Sequence, residues 1–341
     1  MTVIENGQQN KKKRVLSGMR PTGRLHIGHL VGALQNWVKL QHEYECYHFI
    51  ADWHMLTTDY MSTSELDDNR SQMILDWLAC GLDAGRSTLF VQSAIKEHAE
   101  LHLLLSMITP LGWLERVPSY KEMRENLVDK DLNTYGFLGY PLLQSADILM
   151  YKADFVPVGE DQVPHVELTR EIARRFNFIY GQNGAKPIFP EPQALLTPVP
   201  RLPGTDGRKM SKSLGNDIKL SDDPGIVEKK ILPMVTDPAR KRRQDPGNPD
   251  LCPVFDYHKA FSTEETKAWA AHGCRTAEIG CIDCKRGLLK HLLPVLEPIA
   301  AKRRELEANP GSVREVLENG NKTARRVAQA TMDEVRRTML L

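Results

Sequence analysis

Two short motifs, far apart in the chain, constrain its fold more than any other feature. The first is the run Pro21-Thr22-Gly23-Arg24-Leu25-His26-Ile27-Gly28-His29, which follows a short apolar segment at 14–18. After it, apolar residues recur at helical spacing, at Leu30, Ala33, Leu34, Trp37 and Val38. A strand, a turn containing glycine and a helix start direct backbone N–H groups and a helix dipole at a phosphate. The motif therefore predicts a phosphate-binding turn.

The second motif is Lys209-Met210-Ser211-Lys212-Ser213, in a segment rich in glycine and charge. Its two lysines and two hydroxyls are suited to holding a polyphosphate. His26 and His29 share one face of the first turn, so both can reach a charge that develops on a phosphate. Taken singly, the histidines could be a metal-binding pair and the basic run could be solvated surface. Together, the two motifs indicate that the chain uses ATP to activate a group. A P-loop type of ATP site fits poorly, because no Walker sequence occurs.

Length and composition set the broad class of the chain. Its 341 residues are enough for about two domains of ~150 residues each. The 41% hydrophobic and 26% charged content is typical of a soluble globular protein. No apolar run approaches the ~18 residues of a transmembrane helix, and the polar segment 1–14 lacks the apolar core of a secretory signal. We expect a polar leader at 1–14, no membrane association and a cytoplasmic location.

The first two thirds of the chain alternate strand-like with helix-like segments. The candidate strands lie at 15–19, 47–52, 88–92 and 154–158, and helical patterns lie at 30–41, 64–80 and 99–107. This alternation predicts an α/β fold with a doubly wound, Rossmann-like parallel sheet. Helical patterns dominate the rest of the chain. We therefore expect an activation domain at 15–216, ending in the second motif, and a helical domain at 217–341.

The two motifs together resemble the HIGH and KMSKS signatures of class I aminoacyl-tRNA synthetases. Between them stand YPLLQSADIL at 140–149, VPVGEDQ at 156–162 and HVELTR at 165–170. This order resembles the bacterial type of tryptophanyl-tRNA synthetase, and the resemblance runs from Arg14 to the end of the chain. Tyrosyl-tRNA synthetases, the nearest relatives, carry two glycines before the Asp-Gln where this chain has Gly159-Glu160. Other class I synthetases are larger and usually hold an editing insertion.

The resemblance implies that the chain binds ATP together with Mg²⁺ and forms an aminoacyl-adenylate. The predicted catalytic residues are His26, His29, Lys209 and Lys212, which would position the phosphates and stabilise their charge. The predicted ATP-binding residues are Arg20, Pro21, Thr22, Gly28, His29, Gly159, Glu160, Asp161, Gln162, Lys209, Met210, Ser211, Lys212 and Ser213. A further lysine, Lys121, matches one that the family directs at the phosphates.

The predicted tryptophan-binding residues are Asp147, Gln144 and His54. Asp147 lies in an otherwise apolar helical stretch, where a buried carboxylate is costly unless it is hydrogen-bonded. The resemblance implies that it accepts the indole N–H, and such a site rejects an analogue without that group by ~10⁴-fold. A salt-bridging aspartate and a core histidine are the plain alternatives. Gln144 and Leu16 stand where many bacterial enzymes have Met and Phe, and Gln-x-x-Asp is similar to the tyrosyl pattern, so tyrosine stays an alternative substrate.

Four of the six cysteines, Cys252, Cys274, Cys281 and Cys284, are clustered in the helical part. Clustered cysteines in a cytosolic enzyme favour a metal over disulfides. Zinc and an iron–sulfur cluster both use four thiolates. Three close cysteines with one distant partner resemble the 4Fe-4S site of a minority of tryptophanyl-tRNA synthetases. We expect that cluster, with zinc and free thiols as alternatives.

The resemblance also implies that tRNA(Trp) is a partner and that the chain forms a homodimer. Basic clusters at 240–243 and 285–290, with His258 nearby, are candidate contacts for tRNA phosphates, although solvated surface is the alternative. Two other functions stay open. A synthetase paralogue that binds RNA without charging it would commonly lose the two motifs. A nucleotidyltransferase that makes a cofactor would not need the Asp147 pocket.

Overall fold

A five-stranded parallel sheet lies at the centre of the structure, a computed structural model that describes residues 12–118, 120, 131–181, 187–196 and 202–341. Its strands are β1 Arg14–Met19, β2 Glu45–Ile50, β3 Ser87–Val91, β4 Phe155–Val158 and β5 Gln193–Leu196. They are hydrogen-bonded in the order β3-β2-β1-β4-β5, and every neighbouring pair is parallel. The predicted α/β fold with a Rossmann-like parallel sheet is confirmed.

The four strands that the sequence predicted are β1 to β4, with bounds that differ by at most two residues. The prediction missed β5. This strand has only four residues at the edge of the sheet, and none of them is fully buried. Prolines also stand before it, at Pro190 and Pro192. A short edge strand of this kind lacks the apolar periodicity by which strands are recognised.

Helices connect the strands and form most of the chain after the second motif. They are α1 Ile27–His29, α2 Gln35–Leu40, α3 Asp52–Asp59, α4 Leu66–Ala79, α5 Glu97–Ser106, α6 Leu111–Glu115, α7 Tyr135–Leu138, α8 Tyr140–Met150, α9 Val163–Tyr180, α10 Pro224–Ile231, α11 Pro253–Phe261, α12 Glu264–Arg275, α13 Cys281–Glu307 and α14 Pro310–Met339. A π-helical segment, Leu30–Leu34, joins α1 to α2. The helical patterns predicted at 30–41, 64–80 and 99–107 correspond to this joined segment, to α4 and to α5.

Two hydrophobic cores cover the two faces of the sheet, because successive side chains of a strand point to opposite faces. On β3, Phe90 packs into one core, while Leu89 and Val91 pack into the other. The Phe90 core is closed by α5, α8, α9 and α14. The opposite core contains side chains of α2, α4 and α13. The helical C-terminal third thus covers both faces of the sheet.

The last helix, α14, returns to the sheet. Ala324 and Ala328 are buried in the Phe90 core, and the Val91 N–H donates to Asn321 Oδ1 at 2.9 Å. The expected dominance of helices after residue 217 is confirmed. The division into domains at 216 and 217 stays a prediction, as does the leader at 1–14, most of which lies outside the described residues. Within the described ranges, no helix is both long enough and apolar enough to cross a membrane.

A glycine of α14 provides a test of this packing. A methyl group on Gly320 would overlap the backbone carbonyl of Leu89, which cannot rotate away, whereas one on Gly311 has its nearest neighbour at 3.8 Å. We expect Gly320→Ala to lower the free energy of unfolding by ~1–3 kcal/mol. Gly311→Ala, in the same helix, should keep or raise it because alanine is the better helix former. Urea denaturation measures both, and equal midpoints for the two variants would contradict the contact.

Candidate active site

The carboxyl ends of β1 and β4 border a cavity of about 400 Å³. Strands β2 and β3 follow on one side of β1, whereas β4 and β5 follow on its other side. The strand order therefore reverses between β1 and β4. Ligands of open parallel sheets bind at such a point. Residues 16–20 and 156–159 form this edge, and side chains of the first helical segment and of α8 line the cavity.

The first motif turns from β1 into α1 beside this edge. Gly23 has a φ of +95°, a conformation that glycine adopts without strain. His26 precedes α1, and its Nδ1 accepts the Gly28 N–H at 3.1 Å. The Nδ1 of His29 accepts the His26 N–H at 3.2 Å, and the two ring centroids lie 3.9 Å apart. The two predicted catalytic histidines therefore lie side by side.

Both imidazoles are neutral hydrogen-bond donors in this geometry. Burial and then the charge of Lys212 lower the pKa of His26 to about 4. Burial and then His26 lower the pKa of His29 to about 3. Because each Nδ1 is an acceptor, the proton of each neutral ring is carried by Nε2. Two Nε2–H groups are thus available to a phosphate that gains negative charge.

The second motif lies in a loop shaped by Asn216. The Asn216 Oδ1 accepts the Ser211 N–H at 2.8 Å, and its Nδ2 donates to Asp206 Oδ1 at 2.7 Å and to the Lys209 carbonyl at 3.1 Å. Met210 is buried in the core, whereas the Lys209 side chain is exposed. The loop is therefore anchored by its Met and Asn side chains, and it leaves Lys209 at the surface.

Lys212 brings this loop to the first motif. Its Nζ donates to the Thr22 carbonyl at 2.6 Å and lies 3.5 Å from Thr22 Oγ1. Lys212 begins the short helical turn Lys212–Leu214, to which Ser213 belongs. Burial lowers the pKa of Lys212 to about 8, while the charges of Asp76 and Asp217 act in the opposite direction. The lysine therefore carries its charge at neutral pH, next to the turn that the sequence predicts to bind phosphate.

Backbone hydrogen bonds fasten the two motifs together. The Ile27 N–H donates to the Ile218 carbonyl at 2.9 Å, and the Leu220 N–H donates to the Leu25 carbonyl at 3.0 Å. Between these bonds, residues 26 and 219 form an antiparallel bridge. The segment after the second motif is thereby fixed against the start of α1.

Asp147 is a fully buried carboxylate at the cavity wall. His98 Nδ1 lies 2.5 Å from its Oδ1, His54 Nε2 lies 2.8 Å from its Oδ2, and Gln92 Nε2 donates to both oxygens at 2.9 Å. Burial alone would raise the pKa of Asp147, but the hydrogen bonds from His54 and His98 outweigh it and hold the pKa at about 2. The carboxylate is therefore ionised.

Sequence reasoning missed three side chains of this network, Gln92, His98 and Tyr151. The Tyr151 hydroxyl lies 2.8 Å from His98 Nε2, while the other ring nitrogen, Nδ1, faces Asp147. The sequence did indicate Gln92, which is the last residue of the predicted strand 88–92. Ligands bind at the carboxyl ends of the strands in a parallel sheet. Nothing in the spacing marks His98 or Tyr151.

Two further predicted residues line the cavity while bonded to neighbouring side chains. Gln144 Oε1 accepts from His165 Nδ1 at 2.5 Å. Burial lowers the pKa of His165 to about 4, so its ring is neutral. Arg20 donates to Thr58 Oγ1 at 2.5 Å and to Asp59 Oδ2 at 2.9 Å. Both side chains border the cavity, and each already uses part of its hydrogen-bonding capacity on these neighbours.

The segment 159–162 forms a short turn ahead of α9. Gly159 and Gln162 line the cavity, whereas the Glu160 and Asp161 side chains are exposed. Gln162 Nε2 donates to Asp161 Oδ2 at 3.1 Å. Of the other predicted positions, Pro21 is buried at the start of the first motif, and 121 lies outside the described residues. The cavity thus receives two of the four residues predicted in this turn.

A comparison with known families decides what kind of protein carries this site. The family described as tRNA synthetases class I (W and Y) matches residues 8–296. The chain belongs to this family.

Individual relatives of this synthetase agree with the assignment. This chain is 58% identical to a tryptophan–tRNA ligase of Thermotoga maritima, over 96% of its own length and 99% of the relative. It is 47% identical to a tryptophan–tRNA ligase of Ralstonia nicotianae, over 96% of this chain and 98% of the relative. Among solved structures, tryptophanyl-tRNA synthetase of Campylobacter jejuni with ADP and tryptophan matches with a TM-score of 0.83 and 33% identity, covering 96% of this chain and 100% of that one.

The four clustered cysteines of this synthetase lie in two helices and just before a third. Cys252 precedes α11, Cys274 lies near the end of α12, and Cys281 and Cys284 belong to the first turn of α13. Burial raises the pKa of Cys284 to about 12, and the charges of the other three thiols act in the same direction. Within the described part of the chain, however, no three metal-binding side chains are grouped closely enough to hold an ion. A metal centre there stays a prediction.

The basic residues of the helical region divide into buried and exposed ones. Arg240 and Lys285 are buried and donate to backbone carbonyls, and His258 is buried with its Nδ1 2.8 Å from Ser262 Oγ. The expectation that these three side chains meet tRNA phosphates at the surface is wrong. The exposed members of the two clusters are Lys241, Arg242, Arg243, Arg286 and Lys290.

The lowered pKa of Lys212, about 8, gives a pH test of the site. As the pH rises through this value the free synthetase loses an ammonium charge, so its affinity for ATP should fall between about pH 7 and about pH 9. Lys212→Arg should show a flatter dependence because a guanidinium stays charged over this range. Calorimetric titration with ATP measures both slopes. A wild-type affinity that is constant over the range would show that Lys212 does not bind the phosphates.

Proposed function

We propose that this chain is a tryptophan–tRNA ligase, which activates tryptophan with ATP and transfers it to tRNA(Trp). The observation that carries the proposal is a buried, ionised Asp147 at the wall of a largely apolar cavity, next to two motifs that can hold a polyphosphate. The tryptophan–tRNA ligases that resemble the chain over nearly its whole length support the same function.

Selection of tryptophan would depend on the hydrogen bonds of Asp147. Of its three donor side chains, only His54 also lines the cavity, while Gln92 and His98 lie behind the carboxylate. An indole N–H that enters the cavity would therefore compete with His54 for Oδ2. A buried carboxylate left without a donor is costly, and this cost would disfavour side chains that cannot donate at that point.

Adenylate formation would proceed by direct displacement at the α-phosphorus of ATP. An oxygen of the tryptophan carboxylate forms the new bond, and pyrophosphate leaves with the bond that breaks. The Nε2–H groups of His26 and His29 would bind the α-phosphate oxygens, and Lys212 and Lys209 would bind the β- and γ-phosphates. Catalysis then consists of positioning and charge stabilisation, with no covalent enzyme intermediate.

The remaining ATP contacts follow from the cavity edge. Thr22 and Gly28 shape the first turn, and Gly159 and Gln162 would face the ribose, the adenine or the amino group of the substrate. Mg²⁺ would enter with the triphosphate, since this ion is usually bound through phosphate oxygens and a few side chains. In the second step, a ribose hydroxyl at the 3′ end of the tRNA attacks the activated carbonyl carbon, and AMP leaves.

Exchange of labelled pyrophosphate into ATP tests this function directly. The assay is run with tryptophan, with tyrosine and without an amino acid. We expect exchange that depends on tryptophan, because the indole N–H can donate to Asp147 and because the chain resembles tryptophan–tRNA ligases over nearly its whole length. Faster exchange with tyrosine would identify a tyrosyl-tRNA synthetase, and exchange with neither would favour a paralogue that binds RNA without charging it.

The role of Asp147 can be separated from its effect on stability. We expect Asp147→Asn to lower kcat/KM for tryptophan by at least ~10-fold, about 1.4 kcal/mol, with little change in the KM for ATP. Asp237→Asn is the matched control, since Asp237 is also buried and accepts two backbone N–H groups, but does not line the cavity. Equal losses in the two variants would refute a substrate contact for Asp147.

We further propose that Cys252, Cys274, Cys281 and Cys284 hold a 4Fe-4S cluster. Four thiols are the donor set that such a cluster uses, and Zn²⁺ is the alternative ion for the same donors. The buried cations Arg240 and Lys285 stand beside the thiols and would offset part of the negative charge of a thiolate-bound cluster. No step of the reaction is assigned to this group.

Anaerobic purification tests the cluster. We expect about four iron and four sulfide per chain and broad absorption near ~400 nm. Cys281→Ser should lose the iron, because a site with three thiolates is labile, whereas Cys80→Ser should keep it. Loss of the cluster should impair tRNA charging more than pyrophosphate exchange. Stoichiometric zinc without iron would refute the cluster, and absence of any metal would refute the site.

The proposed partners follow from the same function. The exposed Lys241, Arg242, Arg243, Arg286 and Lys290 form a basic surface in the helical region that would contact tRNA phosphates. A homodimer is proposed as well, and exposed apolar side chains such as Leu103, Met107 and Leu111 are candidates for its interface. We expect the enzyme to act in the cytoplasm, where its tRNA is charged.

A further inference from the structure

Outside the cavity, one buried ion pair joins the helical region to the first motif. Asp76 of α4 is 0% exposed and Arg303 of α13 is 1% exposed. Arg303 Nη1 donates to Asp76 Oδ1 at 2.5 Å, and the other carboxylate oxygen, Oδ2, accepts the Leu25 N–H at 2.6 Å. Leu25 immediately precedes His26. The pair is therefore bonded to the backbone of the phosphate-binding turn.

Further contacts hold Arg303 in this position. Its Nη1 also donates to the Gln72 carbonyl at 3.1 Å, and its Nη2 donates to the Gln72 side chain and pairs with Glu307 at 3.1 Å. The same Gln72 side-chain oxygen accepts from Arg24 Nε at 3.1 Å. Arg24 and Leu25, which are neighbours in the first motif, are thus both tied to one polar centre.

Asp76 also acts on the second motif through its charge. Burial lowers the pKa of Lys212, and the negative charge of Asp76 is the largest of the influences that oppose this shift. The Leu25 carbonyl accepts the Leu220 N–H, in the segment that follows the second motif. A displacement of Leu25 would therefore disturb both the turn at His26 and the position of Lys212.

Stability alone does not explain such a pair. Two charges removed from water give little net stabilisation, and apolar residues of similar volume often serve as well. A carboxylate that also accepts a backbone N–H has a more specific effect, because it fixes where that backbone lies. Here the fixed backbone carries the histidine that caps α1.

We propose that Asp76 is a positioning residue for adenylate formation and that Arg303, from the helical region, holds it in place. Asp76 fixes the backbone before His26 and keeps a negative charge near Lys212. The helical region thereby contributes to the first chemical step as well as to any contact with tRNA. The proposal rests on the proposed function, since it concerns the same phosphate site.

The charged and titratable groups around Asp76 predict how its variants respond to pH. They are Arg303 on α13, Arg24 in the first motif, Lys212 in the second motif and the Cys80 thiol on α4 itself. Burial raises the pKa of Asp76 to about 6, although Arg303 and a backbone N–H lower it. Removal of the Arg303 charge would raise the pKa further, so the carboxyl would be protonated near neutral pH and ionised again at higher pH.

The test compares Asp76→Asn, Arg303→Met and Arg303→Lys by tryptophan-dependent pyrophosphate exchange in the full chain. Tryptophan affinity and the urea midpoint are measured in parallel. We expect Asp76→Asn to lower kcat/KM for ATP by ~10-fold or more and to leave tryptophan affinity within about twofold. Arg303→Met should lose activity at neutral pH and regain part of it, relative to the wild type at the same pH, as the pH rises. Arg303→Lys, which keeps the charge but makes fewer hydrogen bonds, should retain more activity than Arg303→Met.

Several results would overturn the proposal. One is Asp76→Asn with unchanged kinetics for ATP. Another is Arg303→Met whose loss is the same at every pH and affects tryptophan affinity equally, since that pattern belongs to a purely structural pair. If Asp76→Asn does not fold, the two Arg303 variants still decide the question. If the wild-type chain shows no tryptophan-dependent exchange, the proposed function itself is refuted. If the wild type and the variants exchange equally well, only the role of Asp76 and Arg303 is refuted.

Discussion

The backbone hydrogen bonds between residues 25–27 and 218–220 are the interaction on which the site depends. They fasten two motifs that are far apart in the chain, so that Lys212 reaches the Thr22 carbonyl and stands near His26. Backbone bonds of this kind are insensitive to side-chain identity. The segment that follows the second motif is therefore held against the start of α1 whatever side chains it carries.

Burial determines the chemical state of the groups around this centre. It holds His26 and His29 neutral, and because their Nδ1 atoms accept backbone N–H groups, each ring presents a donor at Nε2. At Asp147 burial acts against the charge, but donated hydrogen bonds outweigh it. The site thus combines two neutral donors at the first motif with an ionised acceptor at the cavity wall.

Much of the fold was predictable because it depends on local patterns. Strands β1 to β4 and the helices that follow them show the period of two or the helical period that burial of one face requires. The edge strand β5 shows neither, and it was missed. The two motifs were also recognisable, because the residues of each stand close together in the sequence and resemble the signatures of class I aminoacyl-tRNA synthetases. Cysteine spacing, by contrast, indicates a metal only if the fold brings the thiols together.

The sequence by itself determined the family, the parallel α/β sheet and the residues of the two motifs, because each is written in neighbouring positions. The tertiary structure decided which distant groups meet. It placed His98 and Gln92 against Asp147, and it put Arg303 under the first motif. It also buried Lys285, a residue that composition would assign to the surface. Contacts between residues far apart in the chain leave no periodic trace in the sequence, so only the packing of helices against the sheet reveals them.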